Sequence, residues 1–165
     1  MAEVTILLRA INEADLPALY EIYASTRAEE LALVPDWREE DKNAFLTQQF
    51  TAQHQYYQQV YKNADFQIIE YNKQPVGRFY IQWDFKPTEV RIIDIALLPG
   101  FRGKGIGTAI LKNTFEKATE MGKSVTIHVE YNNPAMRLYE RLGFRKIGEF
   151  NSVYYLMERS IPRNS

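Results

Sequence analysis

A run of glycines and basic residues carries the strongest sign of chemistry in this 165-residue chain. Glycines stand at positions 103, 105 and 107, Arg102 and Lys104 alternate with them, and an apolar strand-like run precedes them. Glycine has no Cβ, so a ligand can approach the backbone and successive N–H groups can converge on phosphate oxygens. A helix pattern follows at once, and the positive end of a helix dipole also attracts anions. The segment therefore predicts a phosphate-binding loop.

The spacing of these residues excludes the two best-known phosphate loops. A P-loop requires two glycines separated by four residues, with Lys directly after the second. Gly100 and Gly105 have this separation, but Gly105 is followed by Ile106. The dinucleotide fingerprint requires a glycine three residues after Gly105, where Thr108 stands. The phosphate ligand must therefore belong to a different class of loop.

The loop resembles the acyl-CoA loop of the GCN5-related N-acetyltransferase (GNAT) superfamily. The pattern of that loop is Arg or Gln, two residues, Gly, one residue, and Gly or Ala, which Arg102, Gly105 and Gly107 match. A second run, residues 132–144, is similar to the Asn, Ala, Leu-Tyr, Gly-Phe run of the same family. The resemblance covers about residues 66–158 by motif and order, and the N-terminal part only by its two-helix pattern.

The resemblance implies that acetyl-CoA is the cosubstrate. In the family, the fourth and fifth strands run parallel and splay apart at their C-terminal ends, and the acyl-pantetheine arm pairs with the exposed backbone of the fourth strand. Carried over to this sequence, the expected cofactor-binding residues are Ala96, Leu97, Leu98, Arg102, Gly103, Lys104, Gly105, Ile106, Gly107, Thr108, Asn132 and Tyr139. Asn133 could replace Asn132 in this role; we assign cofactor contact to Asn132 and the helix N-cap before Pro134 to Asn133.

Acetyl transfer from a thioester to an amine requires a neutral amine, a donor to the developing oxyanion and a proton for the departing thiolate. By resemblance, Tyr139 is the expected general acid; the alternative is that it only packs at the helix end and contacts CoA. The expected oxyanion donor is the backbone N–H of Leu97. For the general base, the candidates are Asp94, Glu130 and the pair Glu29-Glu30.

Asp94 interrupts an otherwise apolar strand pattern, where burial could raise the pKa of a carboxylate into the range that suits a base. Arg91 or Arg78 could instead hold it in a structural ion pair. Glu130 ends the fifth strand, close to the splay that the resemblance implies. Glu29 and Glu30 lie in the connection that, by resemblance, covers the acceptor site.

Composition restricts the class of protein. The chain is 45% apolar and 25% charged, which is typical of one globular domain, here expected over residues 1–165. No apolar run reaches the roughly 20 residues of a membrane span, and neither a signal peptide pattern nor cysteine is present, so we expect a cytoplasmic protein. The net charge of −1 argues against nucleic-acid binding, and His54 and His128 are too few and too far apart for a metal site.

Hydrophobic periodicity predicts the elements that must position these residues. The predicted strands are residues 4–8, 66–71, 76–83, 90–98, 124–129, 144–147 and 153–158. Helices are predicted after an N-cap at Asn12, over residues 46–61, from the glycine loop to about Gly122, and over residues 134–142. The third helix is expected to bury one stripe, formed by Ile106, Ile110, Leu111, Thr114, Phe115 and Ala118. This order is that of the acetyltransferase family. The expected fold is therefore α/β, a mixed, mostly antiparallel seven-stranded sheet with a parallel, splayed fourth and fifth strand and four flanking helices.

Residues and resemblance together predict an acetyl-CoA-dependent N-acetyltransferase that transfers the acetyl group directly to a primary amine of a small molecule or peptide. The alternative is a non-catalytic CoA-binding sensor of the same fold. The acceptor, the general base and the oligomeric state stay open, although a homodimer is possible because the closing strands of this fold often pair in relatives.

Overall fold

The computed structural model describes residues 5–162. Its strands are β1 (Ile6–Ala10), β2 (Asp65–Tyr71), β3 (Gln74–Lys86), β4 (Glu89–Leu97), β5 (Ser124–Glu130), β6 (Arg145–Phe150) and β7 (Tyr154–Arg159). Its helices are α1 (Leu16–Thr26), α2 (Ala28–Ala32), α3 (Glu39–Val60), α4 (Ile106–Glu120) and α5 (Met136–Arg141). None of the helices within residues 5–162 combines the length and the apolarity that crossing a bilayer requires.

The strands form one seven-stranded sheet in the order β1-β2-β3-β4-β5-β7-β6. Strands β4 and β5 are parallel, whereas the pairs β1–β2, β5–β7 and β6–β7 are antiparallel. The predicted mixed, mostly antiparallel sheet with a parallel β4/β5 pair is confirmed. The predicted number of four helices is one too low, because α2 lies in the connection expected to carry no helix. Its five residues complete little more than one turn and are too few to produce a readable period.

The N-terminal part begins differently from the prediction. Val4, the first residue of the predicted strand, lies outside the described residues, and β1 continues to Ala10. Asn12 is a cap, as expected, but it caps a 3-10 turn that precedes α1: its Oδ1 accepts from the N–H of Ala14 at 2.9 Å, and its own N–H donates to Asp15 Oδ2 at 2.8 Å. Arg9 donates to both carboxylate oxygens of Asp15 at 2.8 Å and thereby lowers the pKa of that buried carboxyl.

The residues divide into two compact units, and the expectation of one domain over residues 1–165 stays a prediction. Of the residues that the structure describes, the first unit contains those up to Phe79 together with Ile95–Lys104. In it, the ring of Phe50 on α3 packs 5.9 Å from Tyr20 and 6.0 Å from Tyr23 on α1. These contacts join the two long helices of the N-terminal region through an aromatic core.

The second unit contains Tyr80–Asp94 and the chain from Gly105 onward. The buried face of α4 consists of Ile106, Ile110, Leu111, Thr114, Phe115 and Ala118, which is the stripe that the sequence predicts. Phe115 packs on Phe144 with ring centroids 5.5 Å apart, and the guanidinium of Arg159 lies 4.2 Å from the Phe115 ring centroid. This packing, together with the burial of Ile106 in the first turn, fixes α4 within the second unit.

Candidate active site

The glycine loop has the geometry of an open anion cradle. Gly103 and Gly105 have φ angles of 74° and 81°, and a Cβ added to either would meet nothing within 4 Å. Gly105 directly precedes α4, whose first hydrogen bond runs from Ala109 N–H to the Gly105 carbonyl at 3.0 Å. The N–H groups of residues 106–108 therefore have no partner inside the helix. Exposed backbone donors at a helix start fit the pyrophosphate of CoA.

The two basic residues of the loop occupy different positions. Arg102 turns back to the end of β4, where its Nε–H donates to the carbonyl of Leu97 at 2.9 Å. Its Nη2 makes a longer contact, 3.5 Å, with the hydroxyl of Ser25 at the end of α1. Lys104 is exposed and its Nζ lies 5.6 Å from the ring centroid of Phe101. Of the two, Lys104 has the side chain that is free to contact a bound phosphate.

The end of β4 exposes backbone groups on one edge. Its pairing with β5 runs from Glu89↔Ser124 to Ile92↔Ile127 and stops there, although β4 continues to Leu97. On the other edge, Leu98 N–H donates to the carbonyl of Val76 on β3 at 2.8 Å. Successive N–H groups of a strand point to opposite edges, so the N–H of Leu97 points away from β3. The N–H of Leu97, the expected oxyanion donor, thus lies on the edge of β4 where the pairing with β5 has ended.

Tyr139 lies on α5 and is only 5% exposed. Its ring packs on Phe144 with centroids 5.8 Å apart. Burial raises the pKa of the Tyr139 hydroxyl well above its usual range, and the negative charge of Asp94 raises it further. The hydroxyl therefore keeps its proton at neutral pH, as a donor to a leaving thiolate must. Its low exposure also agrees with the alternative role, packing at the helix end.

Asp94 is half-buried on β4 and acts electrostatically on Tyr139. Arg91, one of its two expected ion-pair partners, binds elsewhere: its Nη2 lies 3.2 Å from Glu89 Oε2, and its Nε–H donates to the hydroxyl of Thr126 at 2.8 Å. Residues three apart on a strand face opposite sides of the sheet, which explains the separation of Arg91 from Asp94. Arg78 donates to Gln53 on α3 at 2.8 Å.

The other polar candidates lie at the ends of elements. Glu130 is the last residue of β5, and its carbonyl accepts from the N–H of Asn133 at 2.9 Å. Asn133 Oδ1 accepts from the N–H of Ala135 at 2.8 Å and stabilises a turn before α5. The predicted N-cap at Asn133 is wrong, because α5 begins at Met136, two residues later than predicted, with Ala135 as its N-cap and no side-chain cap. Asn132 is exposed. Glu30 on α2 pairs with Arg27 at 2.9 Å. Its neighbour Glu29 is exposed on the same helix.

Two residues near the end of β4 escaped sequence reasoning. Ser25 contacts Arg102, and Gly77 on β3 lies directly against the carbonyl of Ala96. Neither has a motif around it. A lone glycine inside a strand pattern is a known sign of close backbone approach, and only that signal could have identified Gly77.

Comparison with known proteins places this geometry in a family. An N-alpha-acetyltransferase of Sulfurisphaera tokodaii is 31% identical over 104 residues, which are 55% of this chain and 62% of that protein. The cysteine-rich protein 2-binding protein of Mus musculus is 34% identical over 98 residues, 57% of this chain but only 12% of that protein. The chain therefore spans less than two thirds of the length of either relative.

The solved structures agree on the fold. The PaiA N-acetyltransferase of Thermoplasma acidophilum, determined in complex with coenzyme A, superposes with a TM-score of 0.70 and covers 94% of this chain and 99% of its own. At 16% identity this likeness concerns the fold alone. Residues 17–144 of the chain match the Acetyltransferase (GNAT) family by sequence. Since that match takes in most of the chain, the chain belongs to the GNAT acetyltransferase family, and the predicted enzyme class with acetyl-CoA as cosubstrate is confirmed at the level of the family.

Proposed function

We propose that this chain binds acetyl-CoA through residues 96–108 and transfers the acetyl group directly to a primary amine. The observation that carries the proposal is the backbone around the loop. The N–H groups at the start of α4 have no helix partner, and the N–H of Leu97 points to the edge of β4 that is not paired with β5. The first set would hold phosphate oxygens and the second would donate to the thioester carbonyl.

The reaction balances with one proton lost and one gained. The neutral amine nitrogen attacks the thioester carbon, the carbonyl oxygen becomes an oxyanion that accepts from Leu97 N–H, and the C–S bond then breaks. The nitrogen gives its proton to a base, for which Glu130 or water is our assignment. The departing thiolate accepts a hydrogen bond from Tyr139, takes up a proton from water and leaves as free CoA. No covalent enzyme intermediate forms, and the chain has no cysteine to form one.

Tyr139 would serve the departing sulfur. Its raised pKa keeps the phenol protonated, so it can donate a hydrogen bond to sulfur as negative charge develops there. A free thiol has a pKa of about 8.5, well below that of this phenol, so the proton is shared more readily than surrendered. Asp94 repels a phenolate at this position and thereby maintains the donor form.

The acceptor that we favour is the α-amino group of a peptide or protein. The support is the relative named N-alpha-acetyltransferase, which shares 31% identity with this chain. A small-molecule amine is the second candidate. Glu29 and Glu30 could attract either kind of cation before it loses its proton.

Release of CoA thiol from acetyl-CoA, measured with a thiol-reactive dye, tests the proposal. Because the chain has no cysteine, the dye reports CoA alone. Peptides with a free N-terminus should raise thiol release above the rate of hydrolysis, whereas matched N-acetylated peptides should not. Saturable CoA binding without release from any peptide or small amine would favour the non-catalytic sensor.

A further inference from the structure

Arg102 is bound to the end of β4 through its guanidinium group. Its Nε–H donates to the Leu97 carbonyl at 2.9 Å, and its Nη2 reaches Ser25. The Leu97 carbonyl and the Ser25 hydroxyl together hold the guanidinium at the end of β4. The guanidinium is thus placed at the backbone that the proposed function uses.

The carbonyl that Arg102 binds belongs to the same residue as the expected oxyanion donor. N–H and C=O of one strand residue point to the same edge, so the Leu97 carbonyl and the Leu97 N–H both lie on the edge away from β3. An uncompensated carbonyl dipole beside a developing oxyanion is repulsive. A hydrogen-bond donor on that carbonyl offsets the repulsion and fixes the orientation of the peptide groups around Leu97.

We propose that Arg102 is a positioning residue for acetyl transfer, which orients the end of β4 through the Leu97 carbonyl, rather than a ligand of the CoA phosphates. This inference rests on the proposed function and makes it more specific. Lys104 then supplies the positive charge for phosphate. The two basic residues of the loop thus have different roles. Lys104 affects the affinity for CoA, and Arg102 affects the rate of the chemical step.

The test compares substitutions that separate charge from hydrogen bonding. Arg102→Gln keeps an N–H donor but loses the charge, Arg102→Lys keeps the charge but changes the donor geometry, and Arg102→Ala loses both. We expect Arg102→Ala to lower kcat by about tenfold or more with little change in the KM for acetyl-CoA, and Arg102→Gln to recover more of kcat than Arg102→Lys. Lys104→Ala should instead raise the KM for acetyl-CoA.

A truncated donor provides an independent check. S-acetylpantetheine carries no phosphate group, so a residue that acts only by binding the CoA phosphates cannot affect its reaction. The kcat defect of Arg102→Ala should persist with this donor, whereas the Lys104→Ala defect should disappear. If the Arg102→Ala defect is confined to KM and vanishes with S-acetylpantetheine, or if Lys rescues and Gln does not, Arg102 is a phosphate ligand and the inference is wrong.

A spectroscopic measurement separates failure of this inference from failure of the proposed function. In labelled protein, the carbonyl ¹³C shift of Leu97 should move in Arg102→Ala, return toward the wild-type value in Arg102→Gln, and stay unchanged in Lys104→Ala. This readout requires no activity. A Leu97 shift that is identical in wild type and Arg102→Ala overturns the inference, even if the wild type proves to be an active acetyltransferase.

Discussion

Gly77 lies against the carbonyl oxygen of Ala96 so closely that a Cβ on Gly77 would be 2.3 Å from that oxygen. The same Cβ would meet Leu97 Cδ2 at 2.8 Å. Real Cβ atoms do not approach backbone oxygen to this distance, so no other residue fits without moving β4. The absence of a side chain at one position of β3 therefore sets where the end of β4, with its Leu97 donor, can lie.

Gly77→Ala should destabilise the protein by roughly 2 kcal/mol or more, because the clash is with backbone and cannot be relieved by a rotamer change. Urea unfolding measures this loss. Gly100→Ala is the matched control, since a Cβ at position 100 meets nothing within 4 Å and its φ is not positive. Equal stability of the two variants would show that β3 and β4 are not held at this distance in solution.

Gly105→Asp should weaken CoA binding, and Gly105→Asn should weaken it much less. Both side chains tolerate the left-handed backbone that Gly105 adopts and they have nearly the same shape, so the difference between them reports charge in the cradle. We expect the Kd of the Asp variant to exceed that of the Asn variant by about tenfold, a difference of roughly 1.4 kcal/mol. Calorimetric titration with CoA measures both. Equal affinities would mean that phosphate binds elsewhere.

Tyr139→Phe should lower kcat by about a hundredfold and leave the Kd of CoA nearly unchanged, because only the donor to the leaving sulfur is removed. Steady-state thiol release and calorimetry provide the two numbers. Tyr20→Phe, which removes a tyrosine hydroxyl from the aromatic core of the first unit, should leave kcat unaltered. An unchanged kcat in Tyr139→Phe would assign this residue to packing alone.

His128 makes folding sensitive to mild acid. Its ring stacks on Phe150 with centroids 5.3 Å apart, and burial, followed by the positive charge of Arg91, lowers its pKa below the usual 6.5. Below a pH of about 6.5 the unfolded chain therefore binds more protons than the folded chain. The stability that depends on a neutral His128 is fully present above that pH and is lost as the pH falls toward the pKa of His128 in the folded protein.

The free energy of unfolding should accordingly fall between pH 7 and pH 5, and His128→Gln should make that fall shallower. Urea titrations at a series of pH values measure it. His54→Gln is measured for comparison with His128→Gln, because burial also lowers the pKa of His54 and its ring stacks on Phe50 with centroids 5.6 Å apart. A slope that neither His128→Gln nor His54→Gln alters would assign the acid sensitivity to carboxyl groups.

The sequence by itself determined the features that local patterns encode. The buried stripe of α4, the cap at Asn12, the order of the strands and the glycines before α4 all depend on residues within a few positions of one another, where periodicity and capping chemistry are decisive. The glycine loop and residues 132–144 were also sufficient to predict the family. The helix α2 was missed because five residues do not display a period.

Only the tertiary structure decided what joins distant parts of the chain. It turned Arg102 toward the Leu97 carbonyl and Ser25, ended the β4–β5 pairing after Ile92, placed Gly77 against Ala96, and paired Arg91 with Glu89 rather than with Asp94. A side chain with several possible partners selects one only when packing fixes their distances, and no local pattern contains those distances. Burial of Tyr139 near Asp94, and hence the raised pKa of its hydroxyl, follows from that packing.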